Sequence, residues 1–188
     1  MKKKFTNEQK LINELKPNNK LKPMNELKYS SVKHTFEPIY NRESKILILG
    51  TFPSVKSREN KFYYSHPQNR FWKVISSVFG FENPLTIDEK RNMLLNCNIA
   101  LWDVIESCDI IGSSDSSIQN VVPNDLTMIL NSSNIHKIYA NGKTAAKLYE
   151  KYIEFALEKA IITLPSTSPA NAAFGLDRLV ESWKTIKS

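Results

Sequence analysis

Along most of the chain the apolar positions fall into short runs that switch between two periods. Lys45-Ile46-Leu47-Ile48-Leu49-Gly50 is a continuous apolar run closed by glycine, the pattern of a strand buried on both faces. From Arg70 to Phe79 the residues Phe71, Val74, Ile75 and Val78 recur at helical spacing, which predicts a helix with one face in the core. A second helix fits about 87–97, and Ile99 to Ile105 reads as the next strand. Asn124 and Asp125 are placed to cap a helix through Leu130. A third strand (His136 to Ala140), a helix from Gly142 to about Leu157, a fourth strand (Ala160 to Leu164) and a helix from Gly175 to Ile186 complete the series. Strands alternating with helices in this order predict an α/β fold with a mostly parallel sheet covered by helices on both faces.

The first 30 residues lack this pattern. They contain a near-repeat, Asn13-Glu14-Leu15-Lys16-Pro17 and Asn25-Glu26-Leu27-Lys28-Tyr29. Pro17 and Pro23 exclude one long helix, leaving room for a short one over 6–16 with Thr6 as its cap. The expected division is a basic, low-complexity extension over 1–33 and a folded domain over 34–188.

Composition narrows the picture only in part. A chain of 188 residues with 41% hydrophobic and 10% aromatic residues is long and apolar enough for one core-bearing domain. It has no apolar run of membrane-spanning length, and Met1-Lys2-Lys3-Lys4 leads into no signal-like segment. A soluble cytoplasmic monomer without membrane contact is therefore expected. The net charge of +7 suits a polyanionic partner, yet residues 1–30 hold eight lysines against three glutamates. A solvated tail accounts for that excess as well as a DNA contact does. Cys97 and Cys108 have no metal-ligand spacing and are too few for a four-thiolate cluster. They read as buried free thiols, one at a helix end and one in a loop after a strand, and no metal or cofactor is expected.

In parallel sheets ligands bind beyond the carboxyl ends of the strands. That edge is expected to carry Gly50 to Ser54, Asp103 to Ser117, Asn141-Gly142-Lys143 and Pro165 to Asn171, loops rich in Gly, Pro, Ser and Asn. Backbone amides and hydroxyls beside helix starts suit phosphate oxygens. Ser54, Lys56, Ser57, Ser166, Thr167 and Ser168 are the phosphate candidates, although the same residues populate ordinary turns. Asn141-Gly142-Lys143-Thr144 is not a nucleotide phosphate loop, because Lys137 stands where that motif needs its first glycine. The densest cluster is Tyr63-Tyr64-Ser65-His66-Pro67-Gln68-Asn69-Arg70-Phe71-Trp72. Its aromatic faces can sandwich an extruded base and its amide can hold a water or read a base edge. Core roles for Phe71 and Trp72, a capping role for Asn69 and a structural role for His66 fit the residue types as well.

Gly50-Thr51-Phe52-Pro53-Ser54 followed by His66-Pro67-Gln68-Asn69-Arg70-Phe71-Trp72 resembles the uracil-DNA glycosylase superfamily, close to its mismatch-specific branch. Leu101-Trp102-Asp103-Val104, Gly112 to Ile118, Asn141-Gly142 and Leu164 to Asn171 resemble the hypoxanthine-DNA (deoxyinosine) glycosylase branch. The match runs in order from about Lys45 to Trp183. It implies a three-layer α/β/α sandwich with a four-stranded parallel sheet. It also implies a partner, double-stranded DNA with damaged or mismatched bases, and a monofunctional, hydrolytic removal of a deaminated base in base excision repair. The mismatch-specific branch carries Asn two residues after the first-motif Gly, and classical uracil enzymes carry Asp; this chain has Phe52. The hypoxanthine branch uses an Asn in the His-Pro-x-Asn segment, which here is Asn69.

The resemblance points to Asn69 for catalysis, and residue chemistry together with the motifs makes Gly50, Thr51, Phe52, Tyr64, His66 and Phe71 the candidates for the base. Asn141, Gly142, Lys143 and the loop 165–171, including Pro169, Ala170 and Asn171, fall to DNA, with Asp103 and Asp115 in support. Pro169, Ala170 and Asn171 occupy the place of the superfamily's wedge and are small for it. A uracil or thymine mismatch glycosylase, a lesion-binding protein without catalysis and a small-molecule enzyme are the competing expectations.

Overall fold

A computed structural model describes residues 28–187. The helix expected over 6–16 lies outside the described residues. In chain order the elements are β1 (Ser30–Lys33), β2 (Ile46–Gly50), α1 (Val55–Asn60), α2 (Phe71–Phe79), α3 (Ile87–Asn96), β3 (Ile99–Asp103), β4 (Ile105–Ile110) and β5 (Gln119–Pro123). They continue with α4 (Thr127–Asn131), β6 (Lys137–Asn141), α5 (Lys143–Tyr152), α6 (Glu154–Leu157), β7 (Ile161–Leu164) and α7 (Leu176–Trp183). A 3₁₀ turn, Lys184–Lys187, follows α7.

The central sheet has the order β3-β2-β6-β7, with every neighbour pair parallel. β2 is buried at all five positions, and its alternation decides the layers. Ile46 and Ile48 join a cluster with Phe71, Val74 and Ile75 of α2, Leu94 of α3 and Leu179 and Trp183 of α7. Leu47 and Leu49 point the other way, among Ile129 of α4 and Ala145, Ala146 and Tyr149 of α5. Two-residue periodicity in the strand thus divides the core into two apolar layers, the α/β/α sandwich. Each fully buried Leu or Ile contributes about 1.5–3 kcal/mol relative to exposure.

The structure corrects the expected elements in several places. The run Ile99 to Ile105 is not one strand, since β3 ends at Asp103 and β4 leaves after Val104. β4 joins a second sheet, antiparallel, in the order β1-β4-β5. Its edge strands Ser30–Lys33 and Gln119–Pro123 are mostly exposed, so no long apolar run announces them. Register shifts between β4 and β5 break the simple alternation there. Because β1 pairs with β4 from Ser30↔Ile110 to Lys33↔Ser107, the folded body reaches back to Ser30, inside the extension expected over 1–33. Cys108 lies in β4 and is buried rather than in a loop, Cys97 caps the end of α3 half-buried, and both are free thiols. The helix after Gly142 breaks at Ile153 into α5 and α6. Asp125 Oδ1 accepts from the Thr127 amide at 2.9 Å, whereas Asn124 is buried and donates to the Asp103 carbonyl.

Candidate functional site: a cavity at the carboxyl edge of the parallel sheet

Gly50 pairs with Asp103 at the ends of β2 and β3, and Asn141 pairs with Leu164 at the ends of β6 and β7. The loops leaving these four strands enclose a cavity of about 810 Å³. This is the edge that a parallel sheet offers to ligands.

The floor is made of buried groups. Phe52 is 8% exposed and presents its edge to the His34 ring at 6.4 Å, with the Arg58 guanidinium 5.7 Å from its centroid. His34 Nε2 and Asp103 Oδ2 are 3.0 Å apart, with side chains only 3% and 6% exposed. Gly50 has to be glycine, because an added Cβ would stand 2.1 Å from Asp103 Oδ1 and 3.0 Å from the Tyr64 hydroxyl. Tyr64 stacks on Phe71 with centroids 4.1 Å apart and an interplanar angle of 26°. Burial, and after it the Asp103 carboxylate, pushes the Tyr64 phenol well above its ordinary range. Thr51 is buried beside them.

A polar network ties the floor to the loop after β7. Asn69 Oδ1 accepts from the Phe71 amide and from Thr167 Oγ1, each at 3.0 Å. Thr167 Oγ1 accepts from Asn141 Nδ2, and the Thr167 amide donates to Asn141 Oδ1, both at 2.9 Å. The amide donor at Phe71 fixes which end of Asn69 is oxygen. Both lone pairs of Oδ1 are engaged, which leaves the Nδ2 hydrogens as the end available to a ligand. Asn69 therefore caps α2 and lines the cavity at once, so the two roles open in the sequence are compatible.

Two arginines hold the loops from behind. Arg70 donates through Nε to the Thr167 carbonyl at 3.2 Å, through Nη2 to Asn171 at 3.1 Å, and to the carbonyls of Ser168 and Phe174. Arg58 donates to the carbonyls of Pro53 at 2.7 Å and Gly112 at 3.3 Å, joining the loops after β2 and β4. Burial lowers the Arg58 pKa from its ordinary value. These guanidinium groups shape the loops.

The rim carries Ser54, Lys56, His66, Asp115, Ser166, Ser168, Pro169, Ala170 and Asn171. Several are committed to turn geometry: Ser54 Oγ accepts from the Ser57 amide, Ser166 Oγ from the Ser168 amide and Ser168 Oγ from the Ala170 amide. His66 Nδ1 accepts from the Gln68 amide at 3.2 Å, leaving Nε2 for a ligand. Asp115 is open to solvent at the mouth, yet protein surrounds its carboxyl on the concave side. Burial of that kind, helped by Asp103 and opposed by a hydrogen bond from Thr51, raises its pKa to about 6.

Four expected site residues do not belong to the cavity surface, and a fifth is sealed off. Phe71 is 0% exposed and forms the core behind Tyr64 instead of meeting a base. Thr167 is likewise 0% exposed and cannot reach phosphate. Gly142 is buried at φ 105, and a Cβ there would stand 2.9 Å from the Ser166 Cβ. It is the close approach of two loops that requires this glycine. Lys143 is exposed but lies outside the cavity lining. Ser57 is 3% exposed, holding the Ser65 amide at 3.3 Å. The sequence reading missed His34, Arg58 and Arg70. Arg70 lies within the His66 to Trp72 segment but was given no role of its own, no motif marks His34 or Arg58, and only their contacts reveal what the three do.

Known proteins resemble this chain. The family model described as the uracil DNA glycosylase superfamily matches residues 37–187. The chain belongs to the uracil DNA glycosylase superfamily. A Methanosarcina acetivorans protein named hypoxanthine DNA glycosylase is 31% identical over 158 residues, covering 82% of this chain and 98% of the relative. A protein of the same name from Methanosarcina barkeri is 29% identical over 141 residues, covering 74% and 88%. A solution NMR structure from Methanosarcina acetivorans, described as a candidate uracil DNA glycosylase, superimposes with a TM-score of 0.68 at 27% identity, covering 81% and 97% of the two chains. The present site carries Phe52 on its opening loop and the carboxamide of Asn69 on the same cavity lining. Among the described residues no group of three or more His, Cys, Asp or Glu side chains is placed to hold a metal ion, and no helix is long and apolar enough to cross a membrane.

Proposed function

We propose that this protein is a monofunctional DNA glycosylase, acting as a cytoplasmic monomer on double-stranded DNA, that extrudes a deaminated base and hydrolyses its bond to the sugar, with hypoxanthine in deoxyinosine as the principal substrate. The names of the two Methanosarcina relatives support the choice of base. The observation that carries the mechanism is the state of Asn69, whose oxygen accepts two hydrogen bonds while no described residue engages its nitrogen.

Glycosidic cleavage proceeds through a sugar cation, so the site needs a positioned water and a stabilised leaving base rather than a strong base. As the C1′–N bond breaks, its electron pair passes to the purine, and charge builds on O6 and N7. Asn69 Nδ2 is a donor and stabilises such an acceptor. Water adds to C1′ and releases a proton to solvent. Among the described residues Lys56 is the one lysine on the cavity lining, and it is exposed and bonded to Glu59 at 2.7 Å. A lysine adduct with the sugar is therefore not part of the scheme. Phe52 offers an apolar surface for the extruded ring.

Single-turnover base release from duplexes carrying hypoxanthine, xanthine or uracil, scored by alkaline cleavage, tests the reading. Asn69→Ala should slow release from deoxyinosine by about a hundredfold or more. Asn69→Ser retains an oxygen able to cap the Phe71 amide but has no amide nitrogen, and it should be slowed comparably. A serine variant within a few-fold of wild type would show that the residue only caps its helix. Small residues at the mouth, Pro169 and Ala170, are both exposed and make a weak wedge, so mispaired lesions should be released faster than well-paired ones.

A further inference from the structure

Two polar atoms on the cavity floor stand side by side without hydrogen-bond partners. Asp103 binds His34 through Oδ2, and no hydrogen bond reaches its Oδ1 among the described residues. The Tyr64 hydroxyl is fully buried and makes no well-formed hydrogen bond, although the Asn141 side chain is close enough to temper its pKa. Both fall within 3.0 Å of the single point that a Cβ on residue 50 would occupy. A carboxylate oxygen only accepts, and a tyrosine hydroxyl beside it is free to donate. Leaving the buried hydroxyl unmatched is costly, and Asp103 lines the cavity beside it, which marks the place as complementary to something that enters.

We propose that Asp103 Oδ1 and the Tyr64 hydroxyl together read the lactam edge of the extruded base, and that His34 is the positioning residue that holds Asp103 for this purpose.

The inference rests on the reading of the cavity as a base pocket. A deaminated base presents a ring N–H beside a carbonyl: N1–H and O6 in hypoxanthine, N3–H and O4 in uracil. The acceptor at Asp103 meets the N–H and the donor at Tyr64 meets the carbonyl. Adenine and cytosine present a bare ring nitrogen beside an amino group, which is the opposite polarity at both positions. The pair thus separates deaminated bases from their parents, and leaves purine against pyrimidine to the cavity walls. A phosphate is excluded from this place by the carboxylate's own charge. The base is also the part of an extruded nucleotide that reaches deepest.

His34 is built for rigidity. Its amide donates to the Glu106 carbonyl at 2.6 Å, its ring lies 4.4 Å from that of Phe36, and its side chain is 3% exposed. The residue follows directly on β1, so the antiparallel sheet delivers this part of the floor. The Tyr64 phenol, raised by burial and by Asp103, stays a donor across the working pH range.

Binding to duplexes with a 2′-fluoroarabino sugar, which resists cleavage, isolates recognition from chemistry. Wild-type protein should bind the hypoxanthine duplex about tenfold or more tightly than its 1-methylhypoxanthine counterpart, which lacks the N–H. Asp103→Ala should bring that ratio within about twofold of one, Tyr64→Phe should weaken both duplexes together, and His34→Gln should keep the ratio that His34→Leu loses. A wild-type ratio near one overturns the proposal, and this measurement needs no variant to fold. An unchanged ratio in Asp103→Ala, with both affinities lowered alike, overturns it too, because a merely structural carboxylate behaves that way. Failure of the hypoxanthine assignment looks different: wild type releases no base from deoxyinosine, while a uracil and 3-methyluracil pair still reports on the floor.

Discussion

The floor and the rim of the cavity are built on opposite principles. On the floor, His34, Phe52, Tyr64 and Asp103 are buried against one another and against Gly50, with positions over-determined by packing. On the rim, Ser54, Ser166 and Ser168 use their hydroxyls to close their own turns, and Lys56, Pro169 and Ala170 face solvent. Chemistry that must hold a base to within a fraction of an ångström belongs on the rigid part. Contacts to a backbone of repeating phosphates tolerate looser, exposed groups.

The sharpest way to break that contrast is at Gly50. Gly50→Ala forces a methyl group against Asp103 Oδ1, and should slow base release by about a hundredfold with about 1–3 kcal/mol of destabilisation. A folded variant with wild-type rates would show that the floor yields. Next comes Arg70→Lys, which loses the fork that gathers four loop carbonyls. A loss of about 2–4 kcal/mol, and base release about tenfold slower, is expected by denaturation and single-turnover kinetics. Lys56→Ala acts on the rim: the rate at saturation should stay within about twofold, while the salt dependence of DNA binding loses about one unit of slope.

The smallest effect concerns Asp115, whose folded-state pKa of about 6 lies above its unfolded value. The folded protein then keeps a proton that the unfolded chain has released, so this group's contribution to stability falls as pH rises from about 4 to 6. Asp115→Asn removes that dependence. The difference in Tm, variant minus wild type, should be more positive at pH 7.5 than at pH 4.5. Equal differences at the two pH values would mean that the carboxyl is not perturbed. DNA binding should tighten modestly in the variant at pH 7.5 and hardly at pH 5, where the wild-type carboxyl is already protonated.

Much of this was legible along the chain, and the exceptions share a cause. β2, α2 and β6 declare themselves because burial on one or two faces writes a period into the residues. The second sheet does not, since β1 and β5 are exposed edges and β4 is interrupted by register shifts. Asn69 and Tyr64 stood out in a cluster of residue types capable of the chemistry and Phe52 in the opening-loop motif, and the structure places all three on the cavity lining. Phe71 and Thr167 were assigned to the ligand by the same logic. The structure places both in the interior, because a residue type says what a side chain can do and not which way it faces. His34 carries no local signal at all: its meaning comes from Asp103, 69 positions away.

The sequence by itself determined the parallel sheet, the edge at which its loops gather, and the superfamily, because those follow from periodicity and from motifs that are contiguous along the chain. Only the tertiary structure decided that Asn69 spends its oxygen on Thr167 and Phe71, that two arginines serve the loops, and that Asp103 is gripped by a histidine just past an edge strand. Those decisions are pairings between distant segments, and hydrogen-bond partners and burial are properties of the folded arrangement rather than of any residue.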